Sequence, residues 1–229
     1  MTNLDKRLQT VADQIRCRVH TDIGSDHGYL LKSLLLAGRI EFGIAIENKP
    51  APFENSRRSL AGLAAEVRLA DGLAGLQPNE ANGLSMCGMG GELIVRILSD
   101  FPDRIPDTVV LQPNNRAEAV RQWVRENGFH LIDERLVHHR KTYFVLVCQR
   151  SHAASDPVYD DLNATDALLF GPHLIRRRDP ALLSLLQREH IRLRQYGKRN
   201  PVSQQRFESV CRLLETLKTR QERQSHRRQ

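Results

Sequence analysis

The chain has 229 residues, 40% of them apolar and 27% charged, with a formal net charge of +7. That balance fits one α/β domain with a smaller appendage and excludes a disordered chain. No apolar run reaches the roughly 18–20 residues of a membrane span, and the first residues lack the apolar core of a secretory signal. A cytoplasmic protein with no membrane partner is expected.

The charge is uneven. Residues 176–229 hold 15 Lys and Arg against 5 Asp and Glu, whereas residues 1–175 carry net −3. A near-neutral body with a basic tail suits a polyanion partner; the alternative is a solvated basic helix face. Cys17, Cys87, Cys148 and Cys211 are widely spaced, with no C-x-x-C pair. Neither a disulfide framework nor a zinc site is expected, and no His, Cys and Asp group has metal-ligand spacing.

In chain order, residues 18–23 read as a first strand ending in a glycine turn. Residues 29–37 read as a helix stopped by Gly38. A short apolar strand follows at 43–47. Pro50 and Pro52 then open a helix running to about Gly62. Residues 67–70 form a weaker strand before Asp71-Gly72, and residues 83–87 a fourth before Gly88-Met89-Gly90-Gly91. A helix over 92–98, a clear strand over 108–112 and a helix over 116–127 come next. Residues 129–136 and 142–148 read as a closing antiparallel pair, with His138-His139-Arg140-Lys141 as a solvated basic turn between them. Alternating strands and helices predict a parallel sheet with helices on its faces.

The composition changes near residue 150, giving an expected domain over 1–152 and a second, helical one over 153–229. Residues 151–157 read as linker. Apolar residues from Leu182 to Leu193, and again from Phe207 to Leu217, fall at helical spacing around a break at 197–201. Two antiparallel helices in a hairpin are expected.

The densest chemistry lies in Asp22-Ile23-Gly24-Ser25-Asp26-His27-Gly28. It follows a strand and opens a helix, where glycines let backbone approach a ligand and free amide groups point into a crevice. Glu47 ends the next strand, a position suited to gripping ribose hydroxyls. A dinucleotide enzyme would show G-x-G-x-x-G; here Asp26 stands at the middle glycine. Asp22 and Asp26 would repel a pyrophosphate. S-adenosylmethionine has no phosphate and carries a sulfonium and an ammonium, so the acids favour it. Asp22, Gly24, Gly28, Glu47, Asp71, Gly72, Gly88, Met89 and Gly90 are the expected cofactor residues. Taken singly, each acid also suits a helix cap or turn.

Gly88, Gly90 and Gly91 leave little side chain at the fourth strand end, which would admit a flat base. Gln112 and Asn114 place amides at the rim of the fifth strand, where they can bond base edges. Asp26, His27 and Tyr29 are the candidates for handling that base, Tyr29 by stacking. Arg7, Arg176, Arg177, Arg178, Lys198 and Arg199 are the expected cationic substrate contacts.

These residues together resemble the bacterial tRNA adenine-22 N1-methyltransferases. The resemblance lies in Lys6-Arg7-Leu8-Gln9-Thr10-Val11-Ala12, in Asp22 through Leu30, in Gly88-Met89-Gly90-Gly91, in Leu111-Gln112-Pro113-Asn114 and in Gly171-Pro172-His173-Leu174, in order along nearly the whole chain. It implies a Rossmann-like class I methyltransferase sheet with a C-terminal coiled-coil hairpin, S-adenosylmethionine as methyl donor and tRNA as substrate. Competing readings are a non-catalytic RNA-binding relative, a nicotinamide oxidoreductase, and a methyltransferase acting on another RNA or a small molecule. A monomer is compatible with all of them.

Overall fold

A computed structural model describes residues 4–196 and 200–225 of the chain. The chain forms two compact units, Met1–Asp156 and Pro157–Gln229.

The first unit contains α1 (Lys6–Asp13), β1 (Val19–Ile23), α2 (Tyr29–Leu36), β2 (Phe42–Glu47), α3 (Pro50–Leu60), β3 (Ala65–Leu69), β4 (Gly83–Met89), α4 (Gly91–Asp100), β5 (Thr108–Pro113), α5 (Ala117–Glu126), β6 (Phe129–His139) and β7 (Lys141–Arg150). The strands make one seven-stranded sheet in the order β3-β2-β1-β4-β5-β7-β6. Strands β1 to β5 are parallel, and β7 runs antiparallel to both β5 and β6. Successive residues alternate between faces. Ala45 of β2 and Val110 of β5 join a core with Val11 of α1, Leu31 and Leu34 of α2 and Leu60 of α3. Their neighbours Ile44, Ile46, Val109 and Leu111 are equally buried, as central strands covered on both faces must be. Pro50 stands in the first turn of α3, where its missing N–H costs nothing.

The closing hairpin is longer than the sequence suggests. Pairing continues through Val137↔Tyr143 and His138↔Thr142 to His139↔Lys141. Only Arg140, with a left-handed φ of 60°, turns the chain. The ladder persists because Val137 and Val145 are buried in the same core as Val11 of α1.

The second unit begins with a 3-10 turn (Pro157–Tyr159), followed by α6 (Ala164–Phe170), α7 (Pro172–Arg177), α8 (Pro180–Tyr196) and α9 (Pro201–Ser225). The sequence reading foresees α8 and α9 but misses α6 and α7. Both are under two turns, too short for an apolar period to stand out. The Asn163 side chain caps α6 by accepting the Asp166 amide at 3.1 Å. The α8 and α9 helices run antiparallel: Arg206 donates to Glu189 at 2.8 Å, and His190 stacks on Phe207 at 5.6 Å. Leu182, Leu186 and Leu193 are buried with Val210, Leu213, Leu214 and Leu217.

Candidate active site

From β1 the chain winds outward to β2 and β3; from β4 it winds the other way to β5. Loops leaving the carboxyl ends of β1 and β4 therefore diverge and open a crevice between them. A cleft of about 570 Å³ lies there. Its wall comes from Asp22, Gly24, Asp26, His27 and Tyr29 after β1, Gly88 and Met89 at the end of β4, Asn114 after β5, and Arg7 of α1. Nine of the residues expected from sequence thus share one cavity.

Asp22 anchors the cleft. Register places it directly opposite Ser85 of β4, and the Ser85 hydroxyl donates to Asp22 Oδ1 at 2.6 Å. His20 Nε2 stands 2.9 Å from the same hydroxyl oxygen. Ser85 has one proton, and Asp22 accepts it, so the imidazole Nε2–H is the donor to Ser85. Burial drives the His20 pKa down to about 3, which keeps the ring neutral and that direction fixed. Burial raises the Asp22 pKa to about 6, against the pull of the Ser85 hydrogen bond. Asp22 is therefore mostly ionised at pH 7 and surrounded by donors that hold it in place. His20 and Ser85, which sequence reasoning missed, are the partners that hold the Asp22 carboxylate. Only knowing that β1 lies beside β4 brings Ser85 to Asp22.

Gly24 has a φ of +70°, and a Cβ there would overlap the methyl end of Met89. This close approach of the β1 and β4 loops forms the floor of the cleft. Asp26 is exposed at 59° φ, and its amide donates to the Glu47 carboxylate. Glu47 is buried at the end of β2, 3.5 Å from the Ser56 hydroxyl. Burial foremost pushes its pKa up to about 7. His27 lies 3.7 Å from Asp26 Oδ2 and stacks on Tyr29, with centroids 5.2 Å apart and an interplanar angle of 12°. Tyr29 is 46% exposed, so the stack presents a flat aromatic surface to solvent beside the acids.

Other expected residues sit elsewhere. Glu47, Asp71 and Gly72 lie at the ends of β2 and β3, outside this cleft. Asp71 accepts from Asn48 at 3.3 Å. Gly28 packs against α3, where a Cβ would press on Leu60. Gly90 precedes α4 and touches Asn115. Gly91 is glycine for packing, since a Cβ would strike the Arg116 carbonyl.

Gln112 does not reach the rim. It is fully buried, its amide oxygen accepts Arg7 and the Gly88 amide, and its amide nitrogen donates to Asn114. It tethers α1, β4 and β5 instead of offering an amide to a base. Arg176 is spent on the carbonyls of Pro157, Val158 and Asp160. Arg177 pairs with Asp179 at 3.5 Å, and Arg178 ends α7 in a left-handed turn. Lys198 and Arg199 lie outside the described residues. In the expected solvated turn His138, Arg140 and Lys141 are indeed exposed, and His139 and Arg140, with Tyr143 beside them, also line the cleft.

Two buried carboxylates at neighbouring strand ends, with no Lys or Arg between residues 19 and 31, suit a ligand bearing cations and hydroxyls and not a phosphate. Comparison with known proteins agrees. The family model for tRNA (adenine(22)-N(1))-methyltransferases matches residues 20–220. The chain belongs to that family. The tRNA (adenine(22)-N(1))-methyltransferase of Bacillus subtilis (strain 168) is 36% identical over 188 residues, 79% of this chain and 78% of that protein. The crystal structure of the B. subtilis m1A22 tRNA methyltransferase superposes with a TM-score of 0.79 at 31% identity, covering 96% of this chain and 99% of that one. A Streptococcus pneumoniae protein assigned as a tRNA (m1A22) methyltransferase, solved with S-adenosyl-L-methionine, superposes at 0.82 with 29% identity, covering 93% of this chain and 100% of that one. The reaction of this family member is S-adenosylmethionine-dependent methylation of N1 of adenine 22 in tRNA. Among the described residues no group of His, Cys, Asp and Glu could hold a metal, and no helix is long and apolar enough to cross a membrane.

Proposed function

We propose that the cleft works with two surfaces, an acidic one for the methyl donor and an aromatic one for the adenine. Asp22 holds the cationic end of the cofactor in the cleft, and the cofactor runs on past the cleft to Glu47 at the end of β2, which holds its hydroxyls, with Gly24, Gly28, Gly88, Met89 and Gly90 shaping the backbone around it and Asp71-Gly72 bounding its far side. Bound S-adenosylmethionine supplies an electrophilic methyl group. The residues of the chain orient, desolvate and align. Adenine N1 is neutral and has an in-plane lone pair, so no strong base is needed before attack. Positioning is the main task, and well-oriented reactants gain on the order of 7–11 kcal/mol.

Tyr29, backed by His27, receives the flat base once it is exposed from the tRNA fold, a step costing roughly a few kcal/mol. Asp26, exposed to solvent and 3.7 Å from His27, accepts a hydrogen bond from the exocyclic amine or takes its proton after transfer. Arg7 and Asn114 close the opposite wall. The basic second unit, through Arg177, Arg178, Lys198 and Arg199, supplies sequence-independent affinity for tRNA phosphates. The enzyme acts in the cytoplasm.

The observation that carries this reading is the shared cavity: a buried Asp22 carboxylate and an exposed Tyr29–His27 stack face one space. Nucleoside mass spectrometry of tRNA treated with enzyme and cofactor tests it. Wild type yields 1-methyladenosine, and Tyr29→Ala yields little at unchanged cofactor affinity. N6-methyladenosine as the product would refute the proposed placement of the base.

A further inference from the structure

The β6–β7 hairpin overhangs the sheet at the catalytic end. Pairing between β5 and β7 stops at Leu111↔Leu146, yet β6 and β7 pair onward to His139↔Lys141. Because β6 runs parallel to β5, this overhang projects from the same edge as Gln112 and Asn114. Five further residues of β7 at about 3.3 Å each give a projection of roughly 15 Å. His139, Arg140 and Tyr143 from it form one wall of the cleft.

The base of the hairpin is explained by packing, since Val137 and Val145 are buried against α1. The tip is not. His138, Arg140 and Lys141 are exposed, and residues 137–144 contain no acid. Among the described residues neither Arg140 nor Lys141 makes an ion pair. Lys141 Nζ lies 5.1 Å from the Tyr143 ring centroid, and the Arg7 guanidinium lies over the same ring at 5.8 Å. Arg140 adopts a left-handed φ that glycine or asparagine would adopt at lower cost. Cations without ion pairs on a fully paired hairpin beside an aromatic cleft match a nucleotide, whose phosphates lie a short distance from its base.

We propose that the hairpin tip is a phosphate-binding arm of the catalytic unit: Arg140 and Lys141 hold the tRNA backbone next to the adenosine entering the cleft. This rests on the tRNA reading above and extends it to residues distinct from the basic second unit. The arm fixes the register of the strand, so that one adenosine meets Tyr29; it reads no base itself.

The test compares wild type with Arg140→Ala, Lys141→Ala, the double variant and Arg140→Lys. KM for tRNA, kcat, tRNA affinity across a salt series, and calorimetric cofactor affinity are measured for each. The double variant is expected to raise the tRNA KM about tenfold and to reduce the slope of log affinity against log salt by about 1.5, at roughly 0.7–0.9 per lost phosphate contact. Arg140→Lys keeps the charge and restores most of the affinity, and cofactor affinity stays at the wild-type value. An unchanged tRNA KM and salt slope in the double variant would overturn the proposal while wild-type methylation still upheld the tRNA reading. A loss of cofactor affinity would also overturn it, by making the tip part of the cofactor site. Absence of tRNA methylation by wild type would instead bring down the tRNA reading itself.

Discussion

Ser85 donates its hydroxyl proton to Asp22 across the β1–β4 pairing at 2.6 Å, and His20 donates to Ser85 from 2.9 Å behind. Two neighbouring central strands thus carry three buried polar residues in hydrogen-bonding order, so that the acid at the end of β1 is fixed before any ligand arrives. Ser85→Ala removes a hydrogen bond to a charged group, worth about 1.5–3 kcal/mol, and strands the His20 donor. Cofactor affinity should fall by about tenfold or more, with a lower melting temperature. Calorimetric titration and thermal unfolding of the variant check both; unchanged affinity would mean that Asp22 needs no orientation.

Asp22 and Glu47 predict a pH dependence of a definite sign. Their ordinary values of 3.8 and 4.5 are raised in the fold to about 6 and about 7, chiefly by burial. A raised carboxyl favours the folded state fully below about pH 4 and loses that contribution as pH rises through 6 to 7. A cationic ligand favours ionised Asp22, so binding releases protons near pH 6. Cofactor affinity should weaken below pH 6 and level off above 7, and saturating cofactor should raise the melting temperature more at pH 7.5 than at 5.5. Titrations in buffers of different ionisation enthalpy measure the protons released. Affinity that rises on acidification would contradict the assignment.

Tyr29 is exposed and stacked on His27, so it contributes little to the core. Base–aromatic stacking is worth about 1–3 kcal/mol. Tyr29→Ala should cut turnover on tRNA by about tenfold or more with cofactor affinity intact, and Tyr29→Phe should keep most of it. Equal turnover in wild type and Tyr29→Ala, measured with labelled methyl donor, would remove stacking from the account.

Away from the cleft, Arg121 of α5 donates to Glu134 of β6 at 2.7 Å with both side chains fully buried. The guanidinium also lies 4.5 Å from the Phe144 centroid. Glu134→Gln leaves a buried charge without its counter-ion, a change costing about 3–5 kcal/mol. Chemical denaturation should show that loss. A variant as stable as wild type would mean that the remaining contacts of Arg121 carry the charge unaided.

The succession of strands and helices along the chain, the cofactor loop and the basic tail are legible in the sequence because each is a local pattern. Residues 18–28 show strand, glycine turn and helix start within one window, and the acids there speak against a phosphate ligand. What lay beyond reach depends on pairing between distant segments. Ser85 matters because of register with Asp22, and the hairpin tip because β6 continues past the end of β5. In the sequence Gln112 stands at a strand end and so reads as a rim amide, whereas its burial under Arg7 and Gly88 is visible only in the fold. Arg176 reads as a free cation in the sequence, and only the fold brings it to the carbonyls of Pro157, Val158 and Asp160.

The acidic end of β1 is the core of the account, and titration of S-adenosylmethionine into wild type and Asp22→Ala tests it most directly. Removing one partner of a buried charge interaction costs about 2–5 kcal/mol, so binding should weaken by about 30-fold or more in a variant that remains folded. Equal affinity of the two proteins would contradict the account.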